Sequence, residues 1–134
     1  MAADPIDLVH SYLIASEERN LEEASLSLAP NAILVFPQGR FENLSEMVSA
    51  MAGRYRSIGK THETWDTAQT PDDGTVVVTT GTLHGINNHE VPFAGIRFCD
   101  RFVIRHGLIV EQHVWNDLAE SGVLELREAP PTGR

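Results

Sequence analysis

From Thr61 to Asp117 the chain is almost unbroken strand chemistry, and this stretch most restricts what it can fold into. Threonine, valine, isoleucine and phenylalanine dominate it. Turn signals interrupt it at Pro71-Asp72-Asp73-Gly74, Gly85-Ile86-Asn87-Asn88 and His106-Gly107. β-Branched and aromatic side chains suit a pleated, half-buried surface, whereas Gly, Asn and Asp accept the backbone of tight turns. The spacing predicts four strands, at about 61–70, 75–86, 91–105 and 108–118, joined as an antiparallel meander.

The preceding residues read as helices. Asp4-Pro5 is a start signal, with Asp as cap and Pro at the first helical position, and Ile6, Val9, Tyr12 and Leu13 follow at helical spacing. Asn20 and Glu23 form a second start, and Leu21, Ala24, Leu26 and Leu28 mark a short helix stopped by Ala29-Pro30. Ala32 to Phe36 is a short strand before Pro37. Asn43 and Glu46 repeat the capping pattern, and Leu44, Met47, Val48, Met51, Tyr55 and Ile58 define a third helix that Gly59 and Lys60 would end. Helices followed by a sheet make the fold class α+β.

A chain of 134 residues buries roughly two-thirds of its unfolded surface and needs no metal or disulfide to fold. The reading is one domain over 1–127, with a frayed tail, 128–134, containing two prolines and a glycine. Nineteen acidic against ten basic residues give a formal charge of −9, which argues against nucleic acid and anionic membrane surfaces as partners. No apolar run has the length of a membrane span, the N-terminus lacks a leader pattern, and Cys99 is the single cysteine, so the cytoplasm is the expected location.

Face by face, the strands suggest a pocket. Ala94, Ile96, Phe98, Asp100, Phe102 and Ile104 alternate along one strand and share a face, so one acid stands among five apolar groups. Either a bulge turns Asp100 outward to an arginine, or Asp100 points into an apolar interior that raises its pKa. In the last strand Leu108, Val110, Gln112, Val114 and Asn116 form an uncharged face suited to a ligand pocket. The opposite face carries Ile109 and Trp115, near Val103, an apolar surface on which a homodimer could form.

This layout resembles the nuclear transport factor 2-like superfamily, and within it the SnoaL-like and ketosteroid isomerase-like branch. The resemblance spans residues 5–118. It rests on Tyr12, on Pro30-Asn31-Ala32-Ile33-Leu34-Val35-Phe36-Pro37 and on the stretch from Asp100 to Glu111. It implies a cone-shaped α+β barrel, three N-terminal helices packed on a curved, mostly antiparallel sheet, with an apolar pocket at the open end and homodimers through the outer sheet face. By the resemblance, Tyr12 and Asp100 fall on the oxyanion-binding positions of ketosteroid isomerases. The proton-abstracting acid of those enzymes is replaced here by Phe36, and the acid of the related polyketide cyclases by Val114. His62, Tyr12 and Asn116 compare with pocket residues of scytalone dehydratase, a further member.

The candidate catalytic residues are therefore Asp100, Tyr12 and His62, the last as proton carrier if it faces inward. Phe36, Phe98, Phe102, Gln112, Val114 and Asn116 are the candidate substrate-binding residues. His84, His89 and His106 lie at turns without a ligand motif, and no glycine-rich phosphate loop is present, so no metal and no cofactor are expected. The expected function is a small-molecule pocket protein, a lyase or isomerase acting on a small apolar carbonyl compound. The alternative is a non-catalytic ligand-binding or dimeric interaction module, which the missing acid at Phe36 favours.

Overall fold

A computed structural model describes residues 4–128; the expected frayed tail, 128–134, lies outside the described residues except for Glu128, as does the extreme N-terminus. The helices start where their caps predict. The Asp4 side chain accepts from the Ile6 N–H at 2.8 Å and opens α1, Pro5–Glu17. Asn20 accepts from Glu23 N–H and opens α2, Leu21–Ser25. Asn43 accepts from Glu46 N–H at 2.9 Å and opens α3, Leu44–Ala52. Each cap satisfies a backbone donor that the helix itself leaves unpaired.

Six strands form one sheet in the order β2-β1-β6-β5-β4-β3. They are β1 (Leu28–Phe36), β2 (Gly39–Phe41), β3 (Tyr55–Gln69), β4 (Thr75–Asn87), β5 (Pro92–Arg105) and β6 (Leu108–Asn116). β3 to β6 are the expected antiparallel meander, while β1 joins β6 in parallel and pairs with the short β2 on its other side. A short helix, α4 (Leu118–Ser121), and a 3-10 turn, Val123–Glu125, follow. The fold is α+β, with helices on a six-stranded, mostly antiparallel sheet. Among the described residues no helix is long and apolar enough to cross a membrane.

Three expectations are corrected. The third helix ends at Ala52, not at Gly59, because Tyr55 to Lys60 are paired into β3 opposite Asn87 to Leu83. The two strands approach closely at Gly85, where an added Cβ would lie 2.1 Å from the Ser57 carbonyl oxygen. Cross-strand pairing thus overrides a helical spacing that Tyr55 and Ile58 share with a bulged strand. The second helix stops at Ser25, and Leu28 already belongs to β1 through its pairing with Ile109. The outer apolar face also loses Ile109. A register shift between Val103 and Ile104 turns Ile109 inward, where it is fully buried in the main core with Phe102, Ile104 and Leu34. Val103 is itself buried, so of the three residues expected outside only Trp115 is exposed, at 55%.

The core lies between the concave sheet face and the helices. Val77, Leu83, Phe98, Phe102 and Ile104 meet Val9, Tyr12 and Leu13 of α1 and Met47 and Met51 of α3. Asn87, fully buried at the end of β4, ties the C-terminal segment to this body. Its Nδ2 donates to the carbonyls of Val123 and Leu126, and its Oδ1 accepts from the N–H groups of His89 and Val91. All four bonds are made, as a buried carboxamide requires.

Candidate functional site

Phe36, at the end of β1, and Lys60, on edge strand β3, line the same cavity although β6, β5 and β4 lie between their strands. The sheet therefore curls around this space, and α1 and α3 close it. The cavity volume is about 170 Å³. Its apolar wall comes from Leu13, Met47, Val48, Met51, Ile58 and Leu83, and its polar wall includes Tyr12, Gln112, Lys60 and Glu17.

Asp100 keeps its strand register, opposite Thr79 on β4 and Val114 on β6, and points inward with no exposed surface. It is not solitary. Lys60, the only lysine in the chain, ion-pairs with Asp100 Oδ2, its own side chain 13% exposed. The Lys60 ammonium also lies 5.0 Å from the centre of the Phe98 ring. Asp100 Oδ1 is buried with no hydrogen-bond partner among the described residues. Burial pushes the Asp100 carboxyl above its ordinary pKa, and the charge and hydrogen bond of Lys60 oppose that push. The lysine, not the carboxyl, faces the cavity, since Lys60 is in the lining and Asp100 stands behind it.

Tyr12 reaches across from α1. Its hydroxyl donates to Gln112 Oε1 at 2.6 Å, a buried bond between residues on α1 and β6. Burial holds the phenol well above its ordinary pKa, the Ser16 hydroxyl lowers it in part, and Asp100 adds to the rise. Tyr12 is therefore a proton-bearing donor at any working pH. Glu17, in the last turn of α1, is the one carboxylate in the cavity wall. Burial raises its pKa above that of a free glutamate, while the Lys60 charge and backbone and the rings of His84 and His10 pull it down.

Five of the expected site residues line this cavity: Tyr12, Phe36, Gln112, Val114 and Asn116. Asn116 is partly committed elsewhere, because its Oδ1 accepts from Leu118 N–H at 3.1 Å and holds the entry to α4. Phe98 and Phe102 are packed in the core instead. Phe98 borders a shallower depression with Arg97, Trp115 and Asp117, and Phe102 is fully buried edge-on to the Tyr12 ring. His62 does turn to the inner side of β3, but it is outside the cavity lining. Its Nδ1 shares a 2.8 Å hydrogen bond with Thr79 Oγ1, and its ring stacks on Trp65 at 4.7 Å. Burial first, then the charges of Lys60 and His10, lower its pKa to about 4, so at neutral pH it is uncharged. Cys99 is partly buried, and burial and the neighbouring Asp100 raise its thiol pKa, which makes it a poor nucleophile.

Lys60 was absent from the expected site because it was read as the end of the third helix, and Glu17 because no feature of the sequence singled it out. Arg54 and Arg56, which also line the cavity, were missed because they fell inside the expected third helix, and Arg19, a further lining residue, carried no motif. The one available signal was that the chain contains a single lysine.

Together these elements form a curled α+β sheet that, with α1 and α3, encloses a cavity. The fold is that of the nuclear transport factor 2-like proteins. The structure of TerC crystallised with polyporic acid superposes with a TM-score of 0.74 at 14% identity, over 90% of this chain and 98% of that one. A nuclear transport factor 2-like protein of unknown function from Burkholderia pseudomallei gives 0.71 at 15% identity, over 89% and 95%. A candidate polyketide cyclase from Pseudomonas putida gives 0.58 at 15% identity, over 85% and 92%. No family model matches the sequence, and no curated protein matches it.

Proposed function

We propose that this chain is a cofactor-independent enzyme of the isomerase or lyase type, acting beside the carbonyl of a small, largely apolar compound. One observation carries the reading. Lys60 and Tyr12, each with its polar end bonded to a buried partner, line a cavity in which Glu17 is the one carboxylate among the described residues. A substrate carbonyl oxygen would accept from Lys60 Nζ and from Tyr12, whose hydroxyl turns away from Gln112. Glu17 takes a proton from the adjacent carbon, and the C–H electron pair moves into the new C=C bond as the carbonyl pair moves onto oxygen. Lys60, held in place by Asp100, stabilises that developing charge with little reorganisation, while Tyr12 exchanges its bond to Gln112 for one to the substrate oxygen. The enolate then regains a proton at another carbon or expels a leaving group. Asp100 is a positioning residue for Lys60. His62, bonded to Thr79, takes no part in this scheme.

The co-crystal of TerC with polyporic acid and the candidate polyketide cyclase from Pseudomonas putida support a small-molecule role for this architecture. Phe36, apolar at the cavity wall, favours a second reading, a ligand-binding protein without chemistry. Hydrogen–deuterium exchange of 2-tetralone in D2O, followed by proton NMR, separates the two. The enzyme reading expects exchange faster than in buffer, with Lys60→Met and Glu17→Gln each losing about 10²-fold or more. Exchange no faster than in buffer would leave the binding reading.

A further inference from the structure

The chain has nine more acidic than basic residues, yet its cavity wall has the opposite sign. Arg19, Arg54, Arg56 and Lys60 line it, four of the chain's ten Lys and Arg side chains, against the single acid Glu17. Two of these charges are already matched, Lys60 by Asp100 and Arg56 by Glu90. Arg19 and Arg54 have no carboxylate partner among the described residues.

Arg54 is partly buried between α3 and β3, and its guanidinium faces a neutral group. With its amide oxygen turned inward, the exposed Gln38 side chain accepts from the Arg54 guanidinium at Nη1, at Nε (2.6 Å) and at Nη2 (3.2 Å). A carboxamide oxygen in that place imitates a carboxylate oxygen without its charge. A guanidinium fork binds a real carboxylate more strongly, with two parallel charge-assisted bonds.

We propose that the cavity takes a small amphipathic carboxylate, its apolar body against Leu13, Met47, Val48, Met51 and Ile58 and its carboxylate displacing Gln38 from Arg54. Arg19 adds attraction at the rim. A single negative charge fits the site, because only two cations are unmatched and Glu17 shares the wall. A phosphate dianion would exceed that supply. The inference rests on the cavity being a ligand site and is independent of any chemistry there.

The test titrates naphthalene-2-carboxylate and its methyl ester into the protein by calorimetry at low salt. Wild type is expected to bind the acid at least about tenfold more tightly than the ester. Arg54→Gln is expected to abolish that preference while ester affinity is kept, which also shows that the variant is folded. Arg54→Lys is expected to restore part of it, since the charge returns without the fork. Equal affinity for acid and ester in wild type would overturn the carboxylate assignment and leave the ligand site standing. Binding of neither would overturn both. Inorganic phosphate competing against the acid more strongly than acetate does would overturn it in favour of a phosphate ligand.

Discussion

Lys60 on β3 and Asp100 on β5 close an ion pair across the intervening strand β4, and the carboxyl end of that pair has no exposed surface. Taking both charges out of water is costly, and their mutual attraction recovers the cost only while both are present.

Lys60→Met should therefore destabilise the protein at neutral pH by about 3 kcal/mol, because it leaves a buried carboxylate without a counter-charge. Burial already raises the Asp100 pKa, and the variant removes what opposes that rise. The folded variant then holds a proton that the unfolded chain releases, so its stability should recover as pH falls towards the acid range. Urea unfolding at two pH values measures this, and the double variant Lys60→Met/Asp100→Asn should regain most of the loss at pH 7. A single variant as stable as wild type at pH 7 would show that the pair is not closed.

His62 sets a slope of the opposite sign. Its pKa is about 4 in the folded chain against 6.5 for the free side chain. Between those values the unfolded chain binds the extra proton, so the His62 contribution to stability should fall as pH drops from 6.5 towards 4. His62→Gln should flatten the fall in urea midpoint over that window, and an unchanged slope would assign the acid sensitivity elsewhere.

Gly81 sits where β4 meets β3 most tightly, and a Cβ there would lie 1.9 Å from the Thr61 carbonyl oxygen. That obstacle is backbone, so the strands must move apart or the register must shift. Gly81→Ala should cost about 1–3 kcal/mol, the usual range for overpacking. Thermal unfolding reads it directly. Gly95→Ala, with open space at its Cβ but a φ of +74°, separates backbone strain from collision.

Much of the frame was legible from the residues. Asp4, Asn20 and Asn43 cap their helices as their types predict, and the three turn signals divide the meander close to where the strands end. Alternation placed Asp100 on an apolar face, but whether a bulge turned it outward stayed open until the pairing with Thr79 and Val114 showed the register kept. The start of β3 was not legible. Tyr55 and Ile58 fit a helical spacing and Lys60 a helix end, and only the partner strand, with Gly85 allowing close approach, decides that they are extended. The same uncertainty concealed the site, because Arg54, Arg56 and Lys60 all lie in that misread segment.

Local chemistry alone, acting over a few neighbouring positions, determined the helix starts, the meander, the α+β class and the place of one acid in an apolar alternation. The counter-ion of that acid, the burial of Ile109 and the basic lining of the cavity belong to the tertiary structure. Each depends on which distant strand lies alongside and on where a bulge adds one residue, and such long-range pairings leave no periodic trace in the chain itself.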